Sequence, residues 1–560
     1  MSVPIEPGWL SLLPPLAAIG LALLFREVVI SLFAGIWLGA LLLSQYNPIA
    51  ATLTTVDRFA VGALADEDHI AIIVFSLMLG GMVGVMNRNG GTRGIVEALR
   101  GLATTQRRGQ FLTWLAGIII FFDDYANTLI VGNTMRPVTD RLKVSREKLS
   151  YIVDSTAAPM AAIAVVSTWV GFEITLIGDA LKSAAAQATD AAVRADLLAA
   201  AENPFNVFLH SIPYLFYPIL ALIFVLLIVI TGRDFGPMLK AENRASAGGG
   251  LLRPGAMPAA DTSGGIMEPP DGVEHRWYNA AIPVLSVIVV ALVGIFYTGA
   301  QSLGAGDHSI REIVGAADPF DSLIWASLTG SIVAIGLTVA QRIVTAQQAI
   351  EAWVGGLKAM MLAMVILVLA WSLGDVTEAL GTGPYLSALL QDSLPIQLLP
   401  VLVFLVAALI SFATGTSWGT MAILFPVVVP LAVAMGAGIG FGSGDDYTIL
   451  LGVVSSVMAG SIFGDHCSPI SDTTVMSSMA SACDHVDHVR TQLPYAVTVA
   501  LVGMALGDVP TALGLNPFVA LVLGIAVLYG ILRVFGKPSV DPGYRPVEAV
   551  EPAPAVAPAD

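Results

Sequence analysis

Apolar residues in this chain come in long blocks rather than at the spacing of a half-buried helix or strand. Apolar blocks with few charges, several of them about 18 to 24 residues long, recur at roughly 9–25, 28–45, 70–87, 149–170, 207–230, 278–298, 320–341, 353–373, 448–482, 493–507 and 514–533. A helix needs about 20 apolar residues to cross a hydrocarbon core ~30 Å thick, so the pattern predicts about eleven transmembrane helices. Two further apolar blocks, 110–135 and 395–436, fit a single crossing poorly.

Basic residues orient the map, because Lys and Arg gather on the cytoplasmic side. Arg26, the cluster Arg88, Arg93, Arg100, Arg107 and Arg108, and the cluster Arg136, Arg141, Lys143, Arg146 and Lys148 are expected inside. The block 110–135 has a basic cluster at each end, so one crossing would leave a cluster on the wrong face. A re-entrant hairpin turning at Phe121 to Thr128 removes the conflict. The block 395–436 is bounded by Asp375, Glu378 and Asp392 before it and Asp445 and Asp446 after it. It is expected to dip in from outside and turn near Ala413 to Thr420. Backbone that is not helical at membrane depth needs protein or a watery cavity to satisfy its hydrogen bonds, so each turn is expected to line a cavity.

Each hairpin is followed by a span interrupted by a polar, proline-bearing patch, Asp154 to Pro159 in one half and Asp465 to Pro469 in the other. The order of parts repeats while the inferred direction of entry reverses. Inverted repeats whose interrupted helices meet near the midplane are how many secondary transporters build a site open alternately to each side. The expected fold is therefore an all-α polytopic membrane protein, with about eleven transmembrane helices and two re-entrant hairpins in an inverted repeat. The first membrane half covers 1–230 and the second 278–534. The Gly- and Pro-rich stretch 231–277 reads as a flexible cytoplasmic linker, too polar and irregular to pack, and 535–560 as a disordered cytoplasmic tail.

Composition sharpens the class. Hydrophobic residues make up 56% and charged residues 12% of the chain, and the mean hydropathy is +0.79, far from a soluble domain. No basic residue precedes the first apolar run, so that run is expected to stay as a helix rather than be cleaved as a signal peptide. Two cysteines exclude a disulfide framework, and a net charge of −16 argues against nucleic acid as a partner. No nucleophile elbow, metal-ligand set or phosphate-binding loop appears, so an enzyme is not expected and no cofactor is implied.

Candidate chemistry lies in the interrupted regions. Asp123 and Asp124 sit in an apolar block where each charge costs about 2.5–3.5 kcal/mol at a helix centre, which makes them functional candidates. A carboxylate deprived of water can be neutralised by a proton or by Na⁺ but not by both, so one site serves exchange. Na⁺ prefers oxygen ligands, which Asp123, Asp124, Asn127, Thr128 and the break at Asp154, Ser155 and Thr156 offer. One of the two acids could instead only cap a half-helix. In the second half Thr416, Ser417 and Thr420 either face a cavity or pack against a neighbouring helix. Asp465, His466, Ser468, Ser471, Asp472 and Thr473 crowd more polarity into an apolar region than packing requires. His466 is either a proton relay or a satisfied structural histidine. The run Cys483, Asp484, His485, Asp487 and His488 lacks a second ligand pair for Zn²⁺ and reads as a solvated turn. Trp169, Glu173 and Trp418 either line a substrate path or, for the tryptophans, anchor at the membrane interface.

Through FFDDYANTLIVGNTMRPVTDRLKVSREKLSYIVDSTAAP in the first half and SFATGTSWGTMAILFP with GSIFGDHCSPISDTTVMSSMASACDHVDHVRTQLPYA in the second, the chain resembles the NhaC family of sodium/proton antiporters. The resemblance implies a multi-pass cell-membrane protein that exchanges Na⁺ for H⁺, forms a homodimer, and moves a transport domain against a scaffold. Carried over by motif, the ion-binding candidates are Asp123, Asp124, Asn127, Thr128, Asp154, Ser155 and Thr156, with Thr416, Ser417, Asp465, His466, Ser468, Asp472 and Thr473. Asp123, Asp124, Asn127 and Asp154 are the expected Na⁺ ligands. Relatives that couple Na⁺ or H⁺ to organic acids or amines keep exchange of a small organic solute open as an alternative.

Overall fold

A computed structural model of the chain describes residues 8–25, 28–100, 102–188, 190–258, 269–270, 272–304, 313, 317–382, 385, 394–436 and 447–539. The expected tail beyond residue 539, and Asp392, Asp445 and Asp446, lie outside the described residues. Apart from one two-residue antiparallel pairing, Arg233–Asp234 with Lys537–Pro538, the described elements are helices. Nine of them are long and apolar enough to cross a membrane, ten if the pair Pro204–Tyr214 and Phe216–Thr231, bent by 48°, counts as one. The first two expected spans appear as the shorter apolar helices Leu13–Phe25 and Val28–Leu43. This is a multi-pass membrane protein.

Two expected spans are broken, each for a local reason. The block 149–170 stops at Thr156, because Pro159 lacks an N–H and bars a helix from running through it. The helix restarts as Val170–Gln187, where the Ser167 hydroxyl accepts from the amides of Trp169 and Val170. The block 448–482 divides into Tyr447–Cys467 and Asp472–Ala480 around Pro469, with Ser471 capping the second piece. Both anomalous blocks are helix–turn–helix hairpins. The first pairs Gln106–Ile119 with Asp124–Arg141 and the second Leu399–Thr414 with Ser417–Ala434. The arms of the second are themselves membrane-length, and those of the first are not among the membrane-length helices.

Burial separates an interior group from a periphery. The helix ending at Cys467 is 94% buried over its apolar window and Ser417–Ala434 is 89% buried, against 22% for Pro517–Val534 and 33% for Tyr278–Leu303. The bare faces of the latter, with Leu285, Val289, Leu292, Val522 and Leu523 exposed, are what a lipid-facing helix presents. The helices Glu67–Arg88, Tyr278–Leu303, Pro319–Ala340 and Ala346–Ala359 pack on one another as one group. In the interior the two halves interlock. The return arm of the first hairpin packs on Asp472–Ala480, and that of the second packs along Val170–Gln187.

The segment expected as an unpacked linker differs from that expectation over its first part. Helix Gly236–Ser246 buries Met238, Ala241 and Ala245. Lys148 and Asp234 form a fully buried ion pair, and Tyr495 donates to the same carboxylate. Further on, Arg253 pairs with Asp487 at 2.9 Å. The segment is irregular in composition, yet enough of its polar groups meet a partner to seat it.

Candidate functional site

The site begins with the half-helix Arg146–Thr156. Ser145 caps it by accepting from the Lys148 amide, and every side chain from Glu147 to Thr156 is buried. Its last turn carries Asp154, 2% exposed, into a ring of donors from the second half. Gln492 Nε2 donates to Asp154 Oδ2 at 2.7 Å and Thr474 at 3.1 Å, while Ser477 donates to Oδ1 at 3.2 Å. His488 Nε2 lies 3.2 Å and His466 Nε2 3.8 Å from Oδ2. His466 is held in turn by Ser155 at 3.2 Å and by the Tyr217 hydroxyl at 2.7 Å. A carboxylate offers about four lone-pair positions, so this one is saturated, and a charge with that many donors is tolerable away from water.

Five members of this cluster were not among the expected residues: Tyr217, Thr474, Ser477, His488 and Gln492. His488 is a correction, since it is completely buried rather than part of a solvated turn. The turn is real for its neighbours, with Asp484 capping helix His485–Gly503 and Asp487 paired to Arg253. The helix then carries its fourth residue inward. His488, Gln492 and Tyr495 recur at i, i+4, i+7 and are all buried, a polar stripe at helical spacing that periodicity alone reveals.

At the first hairpin the turn spans Ile120 to Asp123. Asp123 takes the cap position, its carbonyl accepting from the Asn127 amide, and Asp124 opens the return arm. Both acids are buried, at 6% and 2% exposure. Asn127 Nδ2 donates to the carbonyls of Gly117 at 2.7 Å and of Ile120 and Thr156 at 3.0 Å. One amide thus ties the hairpin to the end of the broken span, and Asn127 Oδ1 is left with no hydrogen-bond partner among the described residues. Gly117 is required here, because a Cβ would lie 2.1 Å from Thr156 Oγ1. The hydroxyls of Thr128 and Thr156 donate to carbonyls of their own helices.

Around the second break, Thr473 donates to Asp465 at 3.1 Å and exchanges a bond with Ser471. Ser468 donates to the Phe412 carbonyl, and Ser417 to that of Ser461, so both stitch the second hairpin to the broken helix. Thr416 caps the return arm. Gly415 turns at φ +73°, and any Cβ there would lie 2.7 Å from the Ile470 carbonyl. The backbone of Asp472 opens its half-helix, and its side chain lies outside the described residues. The expected residues therefore fall into three groups. Asp154, Ser155 and His466 share one cluster. Asp123, Asp124, Asn127, Thr128 and Thr156 surround the first turn. Thr416, Ser417, Ser468, Asp465 and Thr473 surround the second turn and break. Among the described residues no group of three His, Cys, Asp or Glu side chains is arranged to hold a resident metal.

Comparison with known proteins agrees with this architecture. An uncharacterised protein of Haemophilus influenzae is 34% identical over 496 residues, 88% of each chain. The malate-2H⁺/Na⁺-lactate antiporter of Bacillus subtilis is 39% identical over 109 residues, 18% of this chain and 21% of that one. The arginine/ornithine antiporter of Halobacterium salinarum is 35% identical over 113 residues, 20% of this chain and 21% of that one. Two solved transporter structures share the fold. MtrF of Neisseria gonorrhoeae, from a class of antimetabolite efflux pumps, superposes with a TM-score of 0.50 at 13% identity, covering 88% of this chain and 86% of its own. The YdaH transporter of Alcanivorax borkumensis superposes at 0.51 and 16% identity, covering 83% and 89%. The model of the Na⁺/H⁺ antiporter family matches residues 160–507, from the first break through the second, and the chain belongs to that family.

Proposed function

We propose that this secondary transporter exchanges Na⁺ for H⁺ across the cell membrane. The observation that carries the reading is Asp154, a membrane-interior carboxylate whose partners come almost wholly from the other half of the chain. A group so placed links occupancy to the packing of both halves. Na⁺ takes its oxygens from Asp123, Asp124 and Asn127 Oδ1 at the first turn, and from Asp154 once the donors of the second half are withdrawn from it. A proton competes for the same carboxylates, since either cation cancels the same charge. The two hairpins enter the membrane from opposite faces as an inverted repeat and move with the broken helices, as a transport domain, against the outer helices. The transporter works as a homodimer with its C-terminus in the cytoplasm.

Proteoliposomes loaded with a pH-sensitive dye test the reading. Na⁺ added outside, with no organic solute present, is expected to drive proton efflux, and a flat trace with Na⁺ would rule exchange of these two ions out.

A second reading is exchange of a small organic solute. It is favoured by the names of the two short-range relatives, which move organic acids or amino acids. A cavity of about 470 Å³ lined by Phe121, Met160, Ile163, Phe205, Ile288 and Ile295 offers room beside the first turn. Proton flux that appears only with malate, lactate or arginine is the result this reading expects.

A further inference from the structure

The saturated environment of Asp154 draws attention to a second interior carboxyl that has the opposite one. Glu173 lies in the first turn of Val170–Gln187 and is completely buried, and neither carboxyl oxygen has a hydrogen-bond partner among the described residues. Trp169, Phe172 and Glu173 stand at i, i+3 and i+4, one face of the chain where it enters the helix. Trp418, the second residue of the return arm after the Gly415 turn, covers that face. Its ring packs edge-on to Trp169 at 5.5 Å and against Phe172 at 4.3 Å. The Trp169 indole nitrogen and the Thr168 hydroxyl, next along the chain, are buried and likewise have no hydrogen-bond partner among the described residues.

Among the described residues no counter-charge reaches this carboxyl. The return arm Ser417–Ala434 contains no ionisable residue. The charged groups that face Val170–Gln187 from the other elements gather toward its far end. His69 pairs with Asp179 at 2.9 Å, and Asp66, Lys182, Asp375 and Glu378 line the same small cavity. Asp179 is about 9 Å further along the helix axis by the rise per residue. Helix Ala191–Glu202, with Arg194, Asp196 and Glu202, and helix Pro204–Ser211, with His210, pack on its later turns. A bare carboxylate charge among aromatic rings, with no donor, would be held at a large desolvation cost, so with the cover closed the stable form is the neutral acid.

We infer that Glu173 is a proton-carrying carboxyl of the transport cycle and that Trp418, at the tip of the second hairpin, is its movable cover. With the hairpin seated, Glu173 keeps its proton. When the tip lifts, water solvates the carboxylate and the proton leaves to the side then open, and after the co-substrate has carried the site across, a proton taken up from the opposite side lets the cover close again. The step moves one proton and breaks only an O–H bond. It rests on the chain being a proton-coupled transporter, with whichever co-substrate.

The experiment compares wild type, Glu173→Gln and Glu173→Asp in two ways. Infrared spectra of purified protein at neutral pH are expected to show protonated-carboxyl C=O absorption in wild type from which Glu173→Gln removes one component. Proteoliposomes report dye-detected proton flux together with exchange of radioactive Na⁺ against Na⁺. Glutamine mimics the neutral acid in shape, so Glu173→Gln is expected to fold and to retain Na⁺/Na⁺ exchange within about threefold. Its proton flux is expected to fall at least about tenfold, and Glu173→Asp to recover part of that flux with a displaced pH profile. An infrared band unchanged by Glu173→Gln overturns the inference, as do proton flux within about twofold of wild type and equal loss of both exchange modes. If wild type responds to malate or arginine but not to Na⁺, the Na⁺ reading fails alone. The same comparison is then made with the active solute, proton flux against solute/solute exchange.

Discussion

Asp154 and Glu173 lie on either side of the same break, and their surroundings are opposite. Asp154 ends one half-helix facing two imidazoles, an amide and two hydroxyls. Glu173 opens the next among three aromatic rings, with no hydrogen-bond partner among the described residues. The same functional group is made tolerable as a charge in one place and as a neutral acid in the other. The difference lies in the number of donors the fold delivers, because burial alone penalises the charged form equally in both. In the cycle proposed above, the charged group answers to a cation, and the neutral one carries a proton in addition to those that compete at the Na⁺ carboxylates.

The strongest way to break this contrast is to remove the charge it depends on. Asp154→Asn keeps the shape but loses charge-assisted bonds worth about 3 kcal/mol, so transport is expected to fall about 100-fold or more while the protein still inserts. Asp124→Asn is expected to abolish exchange to a similar degree by removing a proposed Na⁺ ligand at the first turn. If only one of the two variants is inactive in the dye assay, that residue is the one that holds the exchanged cation. Next, His488→Ala strips one donor from Asp154 and leaves a void beside it. A loss of stability of about 2 kcal/mol is expected by thermal unfolding in detergent, with a roughly tenfold loss of flux. Smaller still, Thr474→Val and Ser477→Ala each remove one hydroxyl from the carboxylate, for about 1 kcal/mol and roughly fivefold. Flux unchanged in both would show that the saturation of Asp154 is not needed.

A third buried carboxyl, on a helix that is not among the membrane-length ones, makes the comparison graded. Glu242 accepts from the Ser145 amide at 2.8 Å and hydroxyl at 2.6 Å, and from Gln110 at 3.2 Å. Burial pushes it up from 4.5 to about 7, with the nearby Lys148 opposing and Asp234 adding to the rise. A raised value means that the seated helix Gly236–Ser246 binds the proton more tightly than the released one. Its seating is therefore strongest below about 4.5 and weakens as pH rises through about 7. Amide hydrogen exchange, corrected for its intrinsic pH dependence, is expected to show protection of this helix falling modestly between pH 5.5 and 8, and Glu242→Gln to flatten the change.

Much of this was legible along the chain. The apolar blocks follow from run length, the two turns from the like charges at both ends of their blocks, and both breaks from Pro159 and Pro469, and Asp123, Asp124, Asp154 and Asp465 stood out as acids in apolar surroundings. Other parts were not legible. Thr416, Ser417 and Ser468 read as ligands, yet their hydrogen bonds are caps and stitches to backbone, because a hydroxyl in sequence does not say which way it points. His488 was hidden by the run of polar residues just before it, and Glu173 by aromatic neighbours that also suit a membrane interface. The helix Gly236–Ser246 was masked by the glycines and prolines that follow it.

By itself the sequence determined that the chain crosses a membrane many times and where its helices must stop. Both depend on neighbours: whether about 20 consecutive side chains are apolar, and whether a residue can donate its N–H. Only the tertiary structure decided which acid is satisfied and which is bare. The donors to Asp154 stand 320 to 338 residues away, and Trp418 reaches the rings beside Glu173 from the other half of the chain. A buried charge is stabilised by what surrounds it in space, and that is fixed when the two halves interlock.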